Sequence, residues 1–239
     1  MNVLNQDVEL TWLGHATWLV RTPEGKRLLI DPFIQGNPKC PAEYKRDDAF
    51  DGIDGILCTH GHGDHISDLV PIAKRTGATV VAIFDLTTWA ESKGVEATNG
   101  GNKGGTLSIA DVEVTLVQAL HSSSYMDGDV NVDMGDPCGL VLRFSNGFTI
   151  YNAGDTDVFG DMALIAELYA PDLVILPIGD HFTMGPRQAA KAVSLLKAKR
   201  VVPQHYGTFP LLTGTPEALQ ALLPDDVELL TLEVGETLS

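Results

Sequence analysis

Thr59-His60-Gly61-His62-Gly63-Asp64-His65 gathers three of the chain's seven histidines into six positions. Imidazoles two apart, followed by a carboxylate and a third imidazole, offer at least as many nitrogen and oxygen donors as one tetrahedral ion needs. The run therefore predicts a metal site, and its surplus of donors suggests a pair of ions sharing one loop. A solvated, histidine-rich polar loop is the competing explanation, and it requires the flanking context to be right by accident.

That context is a strand, a turn and a helix. Gly55-Ile56-Leu57-Cys58-Thr59 is a short apolar run that reads as a buried strand, while Ile66, Leu69, Val70 and Ala73 have helical spacing over residues 66–75. Pro71 either interrupts that helix or marks the first turn of one starting there. The motif thus closes a strand at its C-terminal end, where α/β sheets collect functional groups on loops that a rigid strand positions.

T-H-x-H-x-D-H closing a hydrophobic strand resembles the signature of the metallo-β-lactamase superfamily of metal-dependent hydrolases. That resemblance implies a further histidine after a later strand, then an aspartate bridging two metals, then a final histidine near the C-terminus. His121, Asp155 and His205 each follow an apolar run in the required order. By the resemblance, His60, His62 and His121 hold one metal, Asp64, His65 and His205 hold the other, and Asp155 bridges them. Trp12-Leu13-Gly14-His15-Ala16, Leu29-Ile30-Asp31-Pro32, Asn152-Ala153-Gly154-Asp155-Thr156 and 179–186 are similar to the small single-domain hydrolases of the ascorbate-phosphate lactonase branch. The implied fold is α/β, a four-layered αββα sandwich of two mixed sheets flanked by helices, as one domain over residues 1–239. Periodicity alone supports α/β and no more.

Along the chain one plan is read twice. Residues 8–12, 17–21 and 27–30 predict an antiparallel meander, followed by strands at 53–59 and 79–84. Hairpins are expected for 106–109 with 112–120, around Ala110-Asp111, and for 138–144 with 148–151, around Ser145-Asn146-Gly147. Helices are expected at 157–169, 186–197 and 215–223, with strands at 173–177, 201–202 and 227–232. The glycine-rich run 99–105 lacks the G-K-[ST] ending of a phosphate loop and reads as a flexible entry to the next hairpin. Residues 127–133 mimic a calcium loop but have Val132 where the sharp turn needs glycine, so 122–136 is read as a loop beyond a metal ligand.

Five positions outside the ligand set are candidates for the site. His181, after the 173–177 strand, can donate a proton to an oxyanion or a leaving group, which would make it catalytic alongside Asp64. Its alternative is a histidine satisfied by local hydrogen bonds in the turn before Pro186. His15 either lines the substrate pocket or is a satisfied structural histidine. Asp31 ends a strand beside the metal loop and is expected to hold a ligating imidazole by its second nitrogen. Tyr125 and Met126 are hypothesised to line or cover the substrate pocket.

Composition limits the partners. The net charge of −16 and the 16 scattered basic residues leave no basic stripe for a phosphate backbone, so no nucleic acid is expected and a small molecule is. Residues 1–12 show no charged-then-apolar leader, and no apolar run approaches the ~18 residues of a membrane span, so a cytoplasmic protein is expected. Cys40, Cys58 and Cys138 are odd in number, without C-x-x-C spacing, and read as buried core residues.

The resemblance thus implies a hydroxide between two divalent metals attacking a small ester, a lactone first and a small phosphodiester second. Zinc is the expected metal, then manganese, with iron and nickel also compatible with histidine and aspartate. An oxygen-dependent iron redox enzyme on the same scaffold stays open, as does a non-catalytic metal-binding protein. The sequence leaves the oligomeric state unknown.

Overall fold

Two seven-stranded sheets share one plan, antiparallel on one side and parallel on the other. They were obtained as a computed structural model, which describes Leu4 and residues 7–239. Residues 1–3, 5 and 6, part of the stretch read as leaderless, lie outside the described residues.

The first half begins with β1 (Glu9–Trp12), β2 (Trp18–Arg21) and β3 (Arg27–Ile30), the expected meander. β4 (Gly55–Leu57) then runs parallel to β3 and is followed by α1 (Gly63–Ile66) and α2 (Leu69–Thr76). Pro71 is the third residue of α2, where its missing N–H has no helical partner to lose. β5 (Thr79–Ile83), α3 (Phe84–Ser92) and β6 (Thr98–Gly101) complete the parallel side.

The second half opens with the hairpin of β7 (Thr106–Ile109) and β8 (Val112–Gln118), then a separate hairpin of β9 (Ser124–Asp127) and β10 (Val130–Asp133). β11 (Cys138–Phe144) and β12 (Thr149–Asn152) follow, turned by Gly147 at φ 87°. α4 (Met162–Tyr169), β13 (Leu173–Pro177), α5 (Pro186–Leu196), β14 (Arg200–Gln204), α6 (Pro216–Gln220) and β15 (Glu228–Leu229) make the parallel side. β16 (Thr237–Leu238) returns to pair with β1, so the last strand closes the first sheet.

The core follows the strand period of two. On β13, Leu173 and Ile175 join the large apolar cluster that also holds Leu10, Leu28, Leu116 and Leu140 from both sheets. Val174 and Leu176 point the other way, into a cluster with Met162, Ala189, Val193 and Leu219 of α4, α5 and α6. The strands are thereby buried on both faces and rigid at their C-terminal ends, where the loops bearing the histidines begin.

Some expected elements change. The helix expected from 157 begins at Met162, because the Asp157 N–H donates to Leu120 O at 3.1 Å and the Leu120 N–H donates to Thr156 Oγ1 at 2.9 Å. The strand expected at 227–232 shortens to Glu228–Leu229. The glycine run read as flexible carries β6 instead: a Cβ on Gly100 would sit 2.3 Å from Thr87 Oγ1, so only glycine lets α3 cross there. The stretch 122–136, read as a loop, contains β9 and β10, turned by Gly128 at φ 63°.

Candidate metal centre

The centre is assembled from the C-terminal ends of strands in both sheets, and Asp31 locks the first of these ends together. It is fully buried beyond β3, at φ 47°, and its Oδ1 accepts from the Thr59 N–H at 2.8 Å. Its Oδ2 accepts from Thr59 Oγ1 at 2.7 Å and lies 2.9 Å from His65 Nδ1. One carboxylate thus fixes the start of the histidine loop and the ring of its last member. Gly154, at φ 61°, lets the loop bearing Asp155 press against that loop, since a Cβ there would be 2.7 Å from Thr59 Cβ.

His60 Nε2 and His62 Nδ1 are 2.9 Å apart, and the His121 ring lies 5.0 Å from each of theirs. His60 is oriented by Thr59 Oγ1 at 3.0 Å from its Nδ1, and His62 Nε2 is 3.3 Å from Ser122 Oγ. A second group joins Asp64, His65, His205 and His15, and a third joins His60, His65 and Asp155. Within each group the donor atoms lie within 4.8 Å of one another.

Asp155 connects the groups through one oxygen. Its Oδ2 is 3.0 Å from His205 Nε2, 3.3 Å from His65 Nε2 and 3.6 Å from His121 Nε2. Behind it a buried chain runs from Trp18 Nε1, donating to Gln204 Oε1 at 2.8 Å, to Gln204 Nε2, donating to Asn152 Oδ1 at 3.1 Å. That chain ties β2, β14 and β12 together immediately before His205 and Asp155. Gly179 is required where its turn meets His205, because a Cβ would sit 2.0 Å from His205 O.

Electrostatics separate the imidazoles into two kinds. Burial pulls His60 well below the ordinary histidine value, and His62 and His121 below it, with His65 adding repulsion. Burial also lowers His15, to about 4, reinforced by His205. For His65 and His205 burial is outweighed, chiefly by the charge of Asp155, so that His65 rises well above its usual value and His205 to about 9. Burial alone would raise Asp64 and Asp155. The imidazoles of His15 and His205 hold Asp64, and those of His205 and His65 hold Asp155, below the usual carboxylate range.

These residues fit a cation centre on the evidence of their own atoms. Among the described residues, the buried His65 Nε2, Asp155 Oδ1, His205 Nδ1 and His205 Nε2 have no hydrogen-bond partner. Buried polar atoms are almost always satisfied, so the unpartnered Nε2 atoms of His65 and His205, both beside Asp155, suit a cation there, while His205 Nδ1, Tyr151 Oη and Asn152 Nδ2 are further unpartnered atoms.

The other candidates are placed differently. His181 is exposed, at φ 60°, its N–H donating to Asp180 Oδ1 at 2.8 Å and its ring edge-on to Phe182. The structure thus does not bring its ring into the imidazole groups. His15, considered for the substrate pocket, is fully buried, with Nε2 3.0 Å from Asp64 Oδ2. Tyr125 is half-buried on β9, packs on Trp89 at 5.2 Å and faces the metal loop at Gly63, whereas Met126 is 60% exposed. Thr208, 3.0 Å from His15 Nδ1, was not singled out in the sequence, where a threonine three residues past His205 carries no motif. Cys40, Cys58 and Cys138 are buried and unpaired.

Two expected results follow from this geometry. Asp31→Ala should weaken metal affinity by about ten- to hundredfold without removing a ligand, because the His65 ring loses its orienting acceptor. Metal titration of the variant checks this, and wild-type affinity rules the role out. Tyr125→Ala with Met126→Ala should raise KM by about tenfold, equivalent to ~1.4 kcal/mol of contact, with kcat little changed. Unchanged steady-state kinetics in the double variant rejects the placement of these side chains at the substrate.

Comparison with known proteins gives a consistent family. Residues 26–206 match the family described as the beta-lactamase superfamily domain. A UPF0173 metal-dependent hydrolase of Chloroflexus aurantiacus is 50% identical over 244 residues, covering all of both chains. One from Thermococcus kodakarensis is 48% identical, covering 97% of this chain and 99% of its own. Among solved structures, Igni18, a metallo hydrolase from Ignicoccus hospitalis, superposes with a TM-score of 0.82 at 33% identity, covering 96% of this chain and 97% of that one. CmlA, a diiron β-hydroxylase from Streptomyces venezuelae, shares the fold alone, with a TM-score of 0.72 at 18% identity over 97% of this chain and 54% of that one.

Proposed function

The chain belongs to the beta-lactamase superfamily domain family and, within it, to the UPF0173 metal-dependent hydrolases, and from that premise we propose a binuclear enzyme that opens a small cyclic ester. The observation that carries this reading is Asp155 Oδ2, which lies within 3.6 Å of imidazole nitrogens from both the His60–His62–His121 and the His65–His205 sets. One carboxylate between two imidazole sets suits two cations a short distance apart.

Bound there, divalent cations lower the pKa of a water from ~15.7 to about 7 and polarise the substrate oxygen. The chain's residues do the rest. His60, His62 and His121 are kept neutral by burial and so present lone pairs. Asp31 keeps the Nδ1 proton on His65 and frees its Nε2. Asp64 is 34% exposed where Asp155 is 3%, which makes it the carboxylate placed to accept a hydrogen bond from the attacking water and orient it towards an incoming substrate.

The substrate is proposed to be a lactone, with a small phosphodiester next. A net charge of −16 repels polyanions, while a dication pair keeps the site itself attractive to one small anionic group. Nucleic acid is not proposed as a partner. Zinc is the proposed metal, then manganese. Three buried, unpaired cysteines agree with a reducing cytoplasm, and no helix among the described residues is long and apolar enough to cross a membrane.

The test is elemental analysis of protein purified without added metal, paired with assays on a lactone panel and a chromogenic phosphodiester. Two equivalents of zinc or manganese, with turnover lost in Asp64→Ala, support the proposal and sort ester from phosphodiester. Iron alone, with neither panel hydrolysed, overturns it in favour of oxygen-dependent chemistry.

A further inference from the structure

Asp64 differs from the ligand candidates around it in how it is held. His65, His205 and Asp155 have side chains exposed by 3% or less, so close packing restricts their rotamers, and Asp31 holds the His65 ring as well. Asp64 is 34% exposed and stands on α1, a single four-residue turn. A short carboxylate at that position needs a tether to stay in one rotamer.

His15 supplies the contact. Its Nε2 is 3.0 Å from Asp64 Oδ2 and its Nδ1 is 3.0 Å from Thr208 Oγ1, so both ring nitrogens are engaged. The ring is fully buried, 3.9 Å from the His205 ring and edge-on to Phe33 and Phe209. Its backbone is equally constrained. At φ 58° it pays the cost of a left-handed residue, and its carbonyl accepts from the His205 N–H at 2.9 Å and from Trp12 Nε1 at 3.0 Å.

The hydrogen bonds define a direction. An ionised carboxylate only accepts, so a neutral His15 meets Asp64 with its Nε2–H. Nδ1 is then an acceptor, and the Thr208 hydroxyl is its donor. The Thr208 hydroxyl's other acceptor, Tyr206 O, is farther away at 3.4 Å. A charged ring here would lie fully buried beside His65 and His205, which disfavours double protonation.

We propose that Thr208 and His15 are positioning residues, a two-step relay from the loop after β14 that selects the His15 tautomer and holds the Asp64 carboxylate in place for the second cation. The assignment rests on Asp64 belonging to the second cation's ligand set. It concerns affinity at one of two positions. The His60–His62–His121 set has no hydrogen bond to His15 or Thr208.

Titration of the metal-free full-length chain with zinc(II), in competition with a chromophoric chelator, reads the two equivalents separately. His15→Leu is expected to weaken the second equivalent by about ten- to hundredfold while leaving the first within about twofold. Thr208→Val should shift the same equivalent by a smaller factor. His15→Gln and Thr208→Ser, which restore a donor at each step, should recover most of the loss. A purely structural role would weaken both equivalents together and would not be rescued by Gln or Ser; that pattern overturns the relay. So does wild-type affinity in both His15→Leu and Thr208→Val, with the binuclear reading left standing because the wild type binds two. A wild type that binds one equivalent overturns the binuclear reading itself, and the relay with it. If His15→Leu does not fold, the Thr208→Val and Thr208→Ser pair decides alone.

Discussion

Asp155→Ala is expected to lower kcat/KM by more than about a thousandfold and to leave the protein with fewer than two bound metals. Among the described residues its Oδ2 is the carboxylate oxygen near His121, His65 and His205 together, so on the binuclear proposal its loss removes an anionic donor from both positions at once. Loss of ~4 kcal/mol of transition-state charge stabilisation, the several kcal/mol a metal site supplies, corresponds to about a thousandfold in rate. Asp155→Asn keeps the shape and is expected to fail almost as badly, because a neutral amide does not offset two cations. Neither variant should unfold, since the Trp18–Gln204–Asn152 chain that shapes this loop does not pass through the Asp155 side chain. Elemental analysis beside lactone hydrolysis reads both effects. Full metal content with wild-type turnover in Asp155→Ala would remove the bridging role.

Stripping the metals with a chelator is expected to abolish turnover and to lower Tm by about 10 °C, both restored by adding zinc or manganese back. A ligand at ~1,000 times its Kd stabilises by ~4.1 kcal/mol, and a chain of 150–250 residues moves by about 2–4 °C per kcal/mol. The metal-free centre compensates in part by taking up protons. Asp155 pushes His205 up to about 9 and raises His65 above its usual value, so without a cation the centre favours the protonated imidazoles. Metal uptake must displace those protons, so it releases acid, and metal affinity falls as pH is lowered. Calorimetry in two buffers of different ionisation enthalpy measures the release. Unchanged Tm and activity after verified removal of metal would rule out a metal-dependent centre.

How far the site was legible in the chain depends on the range of the interaction involved. His60 to His65 announce themselves because their spacing lies within one loop, and Asp31 was readable because a strand end beside that loop is a natural place for an orienting carboxylate. His121, Asp155 and His205 have no local signature and were found through family order. His15 and His181 show where that runs out. Each is a lone histidine in a turn with a left-handed backbone, at φ 58° and φ 60°. One is fully buried against Asp64 and the other is exposed beside Phe182. Nothing local distinguishes them, because the difference is made by loops distant in sequence.

The elements show the same division. Hairpins such as Thr106–Ile109 with Val112–Gln118 were readable from alternation and turn residues, which act over a few positions. The strand at Thr98–Gly101 was not, because its glycines look like slack until α3 is seen to cross them. By itself, then, the sequence determined the α/β character, the histidine-rich loop and the absence of a basic stripe, all of which depend on residue type and short spacing, while the order of the remaining candidate ligands came from the family resemblance. Tertiary structure alone decided that Asp155 lies between two imidazole sets, that His15 holds Asp64, and that Thr208 holds His15. Those pairings join residues up to 193 positions apart, and they exist because two sheets, packed on one core, bring their strand ends to a common edge.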